Sequence, residues 1–192
     1  MNSKRNGILR GEAEEAIRTL LRWIGDNPER EGLFDTPARV VRSFDEYFVG
    51  YKIDPKKLLE TTFSEVDGYS DLVLLKDITI ESHCEHHMAP IVGVAHVAYI
   101  PNGRVVGISK LARVVCTFSK RLQLQERLTW QIANCINEAL MPKGVAVVIE
   151  AKHNCITSRG VYHPATIMHT QAMIGAFEAV EMQKQFLSRI SI

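Results

Sequence analysis

Apolar positions along the 192-residue chain recur with two different periods, and the change falls near residue 70. Ile17, Leu20, Leu21 and Ile24 stand at i, i+3, i+4 and i+7, which places them on one face of a helix over roughly 11–26. Asp35-Thr36-Pro37 supplies a cap and a proline at the first helical position. It predicts a second helix whose buried face is Val40, Val41, Phe44 and Phe48. Asp54-Pro55 repeats this opening and predicts a third, short helix.

From Leu72 the period moves toward two. Residues 72–80 and 91–100 are rich in β-formers, and the second run ends in Pro101-Asn102-Gly103, a hairpin signal with 105–108 as the returning strand. Leu111, Val114, Val115 and Phe118 then mark one helix, and Leu128, Ile132, Ile136 and Leu140 a second, closed by Gly144. Val145 to Ile149 reads as a short buried strand running into Ala151-Lys-His153-Asn-Cys155, and a last helix is expected over about 175–190. Strands, helices and strands in this order predict an α+β unit with a largely antiparallel sheet at 71–192, preceded by a helical arm at 1–70.

Composition narrows the picture. A chain that is 46% hydrophobic buries a real core. Lys plus Arg at 23 against Asp plus Glu at 22 leaves +1, so no global field draws in nucleic acid or an acidic membrane. No apolar leader precedes the charged run at 11–15, and no 18 apolar residues run together, so the expected address is the cytoplasm. In that compartment four cysteines point to core packing, metal or catalysis before disulfides.

Ser82-His-Cys-Glu-His-His-Met88 concentrates the candidate chemistry. Cys84 and His87 lie three residues apart after a strand, a spacing that presents a thiolate and an imidazole to one ion. Cys155, past the end of another strand, supplies a third ligand and leaves a position open, as a catalytic zinc requires. Spacing alone leaves buried thiols or a Cys84–Cys155 disulfide equally open. His86 and His153 sit within two residues of a proposed ligand and are candidate proton-transfer groups. His96 and His169 read as structural, Cys116 and Cys135 as core, and His83 stays unassigned. Ser109, Lys110 and Arg113 open a helix, Arg159 follows Cys155, and Arg39 lies on the first turn of the Thr36 helix. Cations near a helix N-terminus suit an anionic substrate such as a phosphate.

These residues carry a resemblance. Gly32-Leu-Phe-Asp-Thr-Pro-Ala-Arg-Val40, Cys84-Glu-His-His87, Val106-Gly-Ile-Ser-Lys-Leu-Ala-Arg113, Gln125-Glu-Arg-Leu-Thr129, and His153-Asn-Cys155 with Arg159-Gly-Val161 closely resemble the GTP cyclohydrolase I family. The match runs in one order over about residues 10–180. It implies a zinc enzyme that converts GTP and water to 7,8-dihydroneopterin triphosphate and formate, through attack of a metal-activated water at purine C8. That reaction is the first step of pterin and folate synthesis. Cys84, His87 and Cys155 match the family's zinc ligands, and His86 and His153 its catalytic histidines. Glu126 matches the glutamate that recognises guanine N1–H and its amino group, a donor pair adenine lacks, and Gln125 beside it joins the substrate set. Lys110, Arg113, Arg159 and Arg39, with Ser109, match the triphosphate contacts.

The family further implies the tunnelling fold, an antiparallel sheet with two helices on one face, assembling into a multi-subunit barrel. The expected assembly is a homodecamer of two pentamers with active sites between subunits. Ring assembly of that kind covers strand edges and apolar sheet surface that one copy leaves open. Tyr162 to Thr170 departs from the family's threonine- and serine-rich strand, which bears on local packing and subunit contacts rather than on chemistry. The alternatives are another tunnelling-fold enzyme acting on a pterin or deazapurine with a nucleophilic cysteine, and a non-catalytic zinc-binding oligomer, which needs a fourth protein ligand.

Overall fold

The computed structural model describes residues 4–64 and 68–190; residues 1–3 and 65–67 of the expected arm, and the last two residues, lie outside the described set. The chain forms two compact units, Met1–Val49 and Gly50–Ile192. In the first, a small hairpin of β1 (Lys4–Arg5) and β2 (Ile8–Leu9), which the apolar pattern does not predict, leads into α1 (Arg10–Trp23). Glu12 caps α1 by accepting the Leu9 N–H at 2.9 Å. α2 (Thr36–Tyr47) begins at the expected proline signal, with Asp35 as the cap residue rather than Thr36. The expected apolar faces are covered only in part: Leu20 and Ile24 of the first are more than half exposed, whereas Phe48 of the second is buried against Phe44.

The second unit is organised by a five-stranded sheet in the order β7-β4-β5-β8-β9. Where Asp54-Pro55 predicts a helix, the chain makes a 3₁₀ turn, Lys57–Leu59. β3 (Thr62–Phe63) follows, then β4 (Val73–Cys84) and β5 (Pro90–Ile100), both longer than the apolar runs that predict them. β6 (Val105–Val106) corrects the hairpin expectation: it pairs with β3, not with β5. Gly103 does make the turn with φ +77°, but the Val106 N–H donates to the Tyr99 hydroxyl at 3.2 Å, so the chain peels away from the ladder.

α3 (Ile108–Ser119) and α4 (Gln125–Leu140) flank β7 (Leu122–Gln123), and all eight of their predicted apolar residues are buried. α4 ends at Met141, which takes the left-handed conformation (φ +46°); the predicted stop, Gly144, instead opens β8 (Gly144–His153). A Cβ on Gly144 would lie 2.8 Å from the Ile174 carbonyl oxygen and the Ala176 nitrogen, so the glycine is there for close packing. α5 (Asn154–Thr157), β9 (Met168–Gly175) and α6 (Val180–Ile190) complete the unit.

Every pairing in the large sheet is antiparallel except β4 with β7. Alternation sorts the strands into two cores. Ala95, Val97, Tyr99, Val145, Val147 and Ile149 pack with α3 and α4, while Ala98, Ile100, Ala146 and Val148 pack with Phe177, Phe186 and Ile190. The second face, for which the sequence offers no cover within one chain, is therefore partly closed by α6; Val92 on it stays half exposed. A bulge between Leu75 and Ile78 turns Asp77 to φ +55°, and the Asp77 N–H donates to Nδ1 of the buried His96 at 3.3 Å. His96 is thus the structural residue expected. Among the described residues, no helix is long and apolar enough to cross a membrane.

Candidate active site

The ends of three strands build the site. β4 stops at Cys84, and the hairpin to β5 is closed by the Cys84 N–H donating to the Ala89 carbonyl at 2.8 Å and the Met88 N–H to the Cys84 carbonyl at 2.8 Å. Met88 takes φ +53° to make that turn. β7 holds it from the other side: Gln123 pairs with Cys84, and its carbonyl accepts the Glu85 N–H at 3.1 Å. Arg127 then ties the turn to α4 by its ion pair with Glu85 and a 3.2 Å hydrogen bond to the Gln123 side-chain oxygen. Neither Glu85 nor Arg127 stands out in the sequence as part of this support.

Cys155 enters from β8. His153 is the last extended residue (φ −108°), and α5 is a single turn braced by its own side chains: Ser158 Oγ donates to the Asn154 carbonyl at 2.7 Å and Thr157 Oγ1 to the Asn154 side chain at 3.4 Å. Thr157 and Ser158, which carry no role in the sequence, therefore shape the turn that holds the thiol. Gly160 (φ +68°) reverses the chain immediately afterwards.

One candidate ligand atom each from Cys84, His87 and Cys155 lie within 4.8 Å of one another, with the thiols buried and the imidazole exposed. Cys84 Sγ is 3.9 Å from His87 Nδ1, and the Arg159 guanidinium donates to His87 Nε2 at 3.3 Å. All four cysteines are free thiols, so the disulfide alternative does not hold. Burial, and then the neighbouring Cys84 sulfur, push the Cys155 thiol up from its ordinary range. A bound cation would reverse this, because a coordinating thiol is deprotonated outright. Two sulfurs and one nitrogen suit a borderline-soft ion, and three protein ligands leave a position open.

His153 is half-buried, and its Nε2 lies 2.7 Å from Gln125 Oε1. Burial lowers its pKa and the Glu126 carboxylate partly offsets this, so the ring is poised as a neutral imidazole. Gln125 itself is 1% exposed, held by Ile149, Met168 and Thr170. Glu126 on the next position is exposed, as are His86, Arg113, Ser109 and Arg159; Lys110 is half-buried. His86 stacks edge-on to His87 with ring centroids 6.2 Å apart. Ser109, Lys110 and Arg113 lie on the first two turns of α3, and no hydrogen bond or ion pair among the described residues links them to the Cys84 group. Arg39 belongs to the first unit, where it pairs with Asp35 at 3.3 Å. Of the two expected core cysteines, Cys135 is buried with its thiol pushed up to about 11, whereas Cys116 is exposed because it falls on the outer face of α3.

A family model described as GTP cyclohydrolase I matches residues 13–191, nearly the whole chain. The chain belongs to the GTP cyclohydrolase I family. Relatives named GTP cyclohydrolase 1 agree over most of both lengths. The protein of Maricaulis maris (strain MCS10) is 58% identical over 168 residues, 88% of this chain and 82% of that one. The Pelagibacter ubique (strain HTCC1062) protein is 56% identical over 181 residues, 94% and 90% of the two chains. The Allorhizobium ampelinum protein is 51% identical over 182 residues, again 94% and 90%. As a GTP cyclohydrolase I chain, it has its Cys84, His87 and Cys155 group inside the matched span, as are His153, Glu126 and the α3 cations.

Proposed function

We propose that the chain converts GTP and water to 7,8-dihydroneopterin triphosphate and formate, opening the guanine imidazole ring at C8 and reclosing the product as a pterin. The observation that carries this reading is the convergence of Cys84, His87 and Cys155 within 4.8 Å, two residues from His153, in a chain of this family. The donor set fits zinc. When bound there, zinc would supply Lewis acidity and a water whose pKa is lowered to about 7.

The chain's own residues do the rest. His153 exchanges a proton with the purine ring nitrogen that takes up charge as the C8 bond breaks, and His86 contacts the ribose. Glu126 accepts from guanine N1–H and the 2-amino group. Because Glu126 is exposed in the single chain, its discrimination against adenine requires that the bound base, or a neighbouring copy, exclude water from it. Ser109, Lys110, Arg113, Arg159 and Arg39 bind the triphosphate, the α3 residues with help from a helix N-terminus whose first turn holds no acidic residue.

A homo-oligomer with sites between copies, built as a ring-shaped barrel and doubled to a decamer, is part of the same proposal. Support comes from the sheet edges: among the described residues β7 covers only His83 and Cys84 of β4, and β9 pairs only with β8. Open edges of this length are paired or covered in stable proteins.

The test is to incubate metal-quantified protein with GTP and measure formate and oxidised, fluorescent neopterin. Zinc-replete protein that gives neither product overturns the proposal. His153→Ala should keep the metal and lose turnover, whereas Cys155→Ala should lose the metal; the reverse pattern overturns the ligand assignment.

A further inference from the structure

We propose that Gln125 is a positioning residue: its buried side-chain oxygen holds His153 as the Nε2–H tautomer and so makes Nδ1 the ring atom through which His153 exchanges protons. This rests on the reading of His153 as a proton-transfer group and adds which atom acts and what selects it.

The hydrogen-bond directions can be worked out one by one. Thr129 Oγ1 lies 2.7 Å from the Gln125 main-chain oxygen, which only accepts, so the single Thr129 proton goes there. Thr129 Oγ1 is also 2.7 Å from Thr170 Oγ1, and with its own proton committed it must accept from Thr170. The Thr170 oxygen is then an acceptor for the Gln125 amide, 3.0 Å away. Two further acceptors surround the same amide at 3.0 Å, the Ile149 carbonyl of β8 and the Met168 carbonyl of β9. Three acceptors on one side admit only the NH₂ group; the flipped amide would set its oxygen against two carbonyls in a site that is 1% exposed.

With the amide so oriented, the atom facing His153 at 2.7 Å is Oε1, which cannot donate. His153 Nε2 must carry the hydrogen, and the lone pair of the neutral ring falls on Nδ1. A histidine that moves protons depends on such a partner, because the wrong tautomer offers a hydrogen where the reaction needs a base. The sheet and α4 thereby set the chemistry of a side chain that sits at the end of β8. The pairing of Thr170 with Ile149 brings β9 into the same circuit.

The test uses the metal-loaded full chain labelled with [¹³C,¹⁵N]histidine and solid-state NMR at a pH where the ring is neutral, with His153→Ala assigning the signal. The Nε2–H pattern is expected, and an Nδ1–H pattern overturns the proposal. Gln125→Met, which keeps the shape and removes the hydrogen bonds, should keep metal content and the KM for GTP within about twofold. It should lower kcat by about 10–100-fold, the usual cost of losing a supporting partner, and mix the His153 tautomers. An unchanged kcat, or a raised KM with kcat intact, makes Gln125 a structural or substrate-contacting residue and overturns the idea. If Gln125→Met does not fold, the wild-type tautomer decides. Absence of formate from the wild-type protein would overturn the proposed reaction instead, and leaves the tautomer result to be judged separately.

Discussion

Gly93→Ala adds one methyl group to the middle of β5 and should damage both stability and the site. Gly93 pairs with Ile80 on β4 and Ala151 on β8. A Cβ there would stand 2.0 Å from the Glu150 carbonyl oxygen, 2.5 Å from Ala151 Cα and 2.6 Å from its Cβ, where ordinary contact begins at 3.4 Å. Two of these atoms are backbone, so no side chain can swing aside; β8 must withdraw. Overpacking of a core typically costs about 1–3 kcal/mol. The retreat also weakens the neighbouring ladder hydrogen bonds, at about 0.5–1.5 kcal/mol each. Together these suggest a loss of about 3–5 kcal/mol, against a typical total near 5–15 kcal/mol.

The shift also reaches the site, because Ile91 pairs with His153 two residues farther along the same ladder. Urea unfolding followed by fluorescence, at fixed protein concentration since assembly contributes to apparent stability, measures the first effect. Competition with a chromophoric zinc chelator measures the second. A loss below about 1 kcal/mol with unchanged zinc affinity would refute the reasoning, since it would mean that β8 yields without cost where backbone meets backbone.

Two other outcomes follow from the site and the second core. Glu126→Gln replaces a pure acceptor by an amide that offers hydrogens to guanine's own N–H groups, and should lower kcat/KM for GTP by about 10–100-fold, in line with an unpaired polar group at about 1–3 kcal/mol; equal kinetics would remove Glu126 from base recognition. The pKa of His96 is lowered by burial, with the Asp77 and Glu150 carboxylates offsetting part of the effect, so the unfolded chain takes up the proton first. Its contribution to stability is therefore complete above the unfolded value near 6.5 and is lost as pH falls through the lower folded value. Thermal unfolding between pH 7.5 and 5.5 should fall less steeply for His96→Gln than for wild type, and parallel profiles would show that His96 is not the sensor.

Much of the site can be read from residue spacing. Cys84 and His87 share one hairpin, so their proximity is a local matter, and the spacing announces it. The helices α3 and α4 follow from apolar positions three and four apart, all of them buried as expected. Gln125 is the contrary case. Its motif resembles a substrate-contacting pair, yet its side chain is held by the Ile149 carbonyl of β8 and by Met168 and Thr170 of β9, partners that no local spacing announces. Cys116 shows the same limit on a smaller scale, since a cysteine inside an apolar helix faces outward by its position on the turn.

Sequence alone determined the long helices and central strands, their order, the buried faces of α3 and α4 and the short-range ligand pair, because each depends on contacts within a few residues. Tertiary structure decided what the ladder registers decide. β4 pairs His83 with Pro90 while β8 pairs His153 with Ile91, and these two registers bring Cys84 and Cys155, from the strands on either side of β5, to one place. Tertiary contacts likewise pair β6 with β3 and close Gln125 against His153. Pairings such as Ile91 with His153 and Thr62 with Val106 join residues far apart in the chain, and the alternation along each strand is compatible with many partners; only the packed sheet selects one.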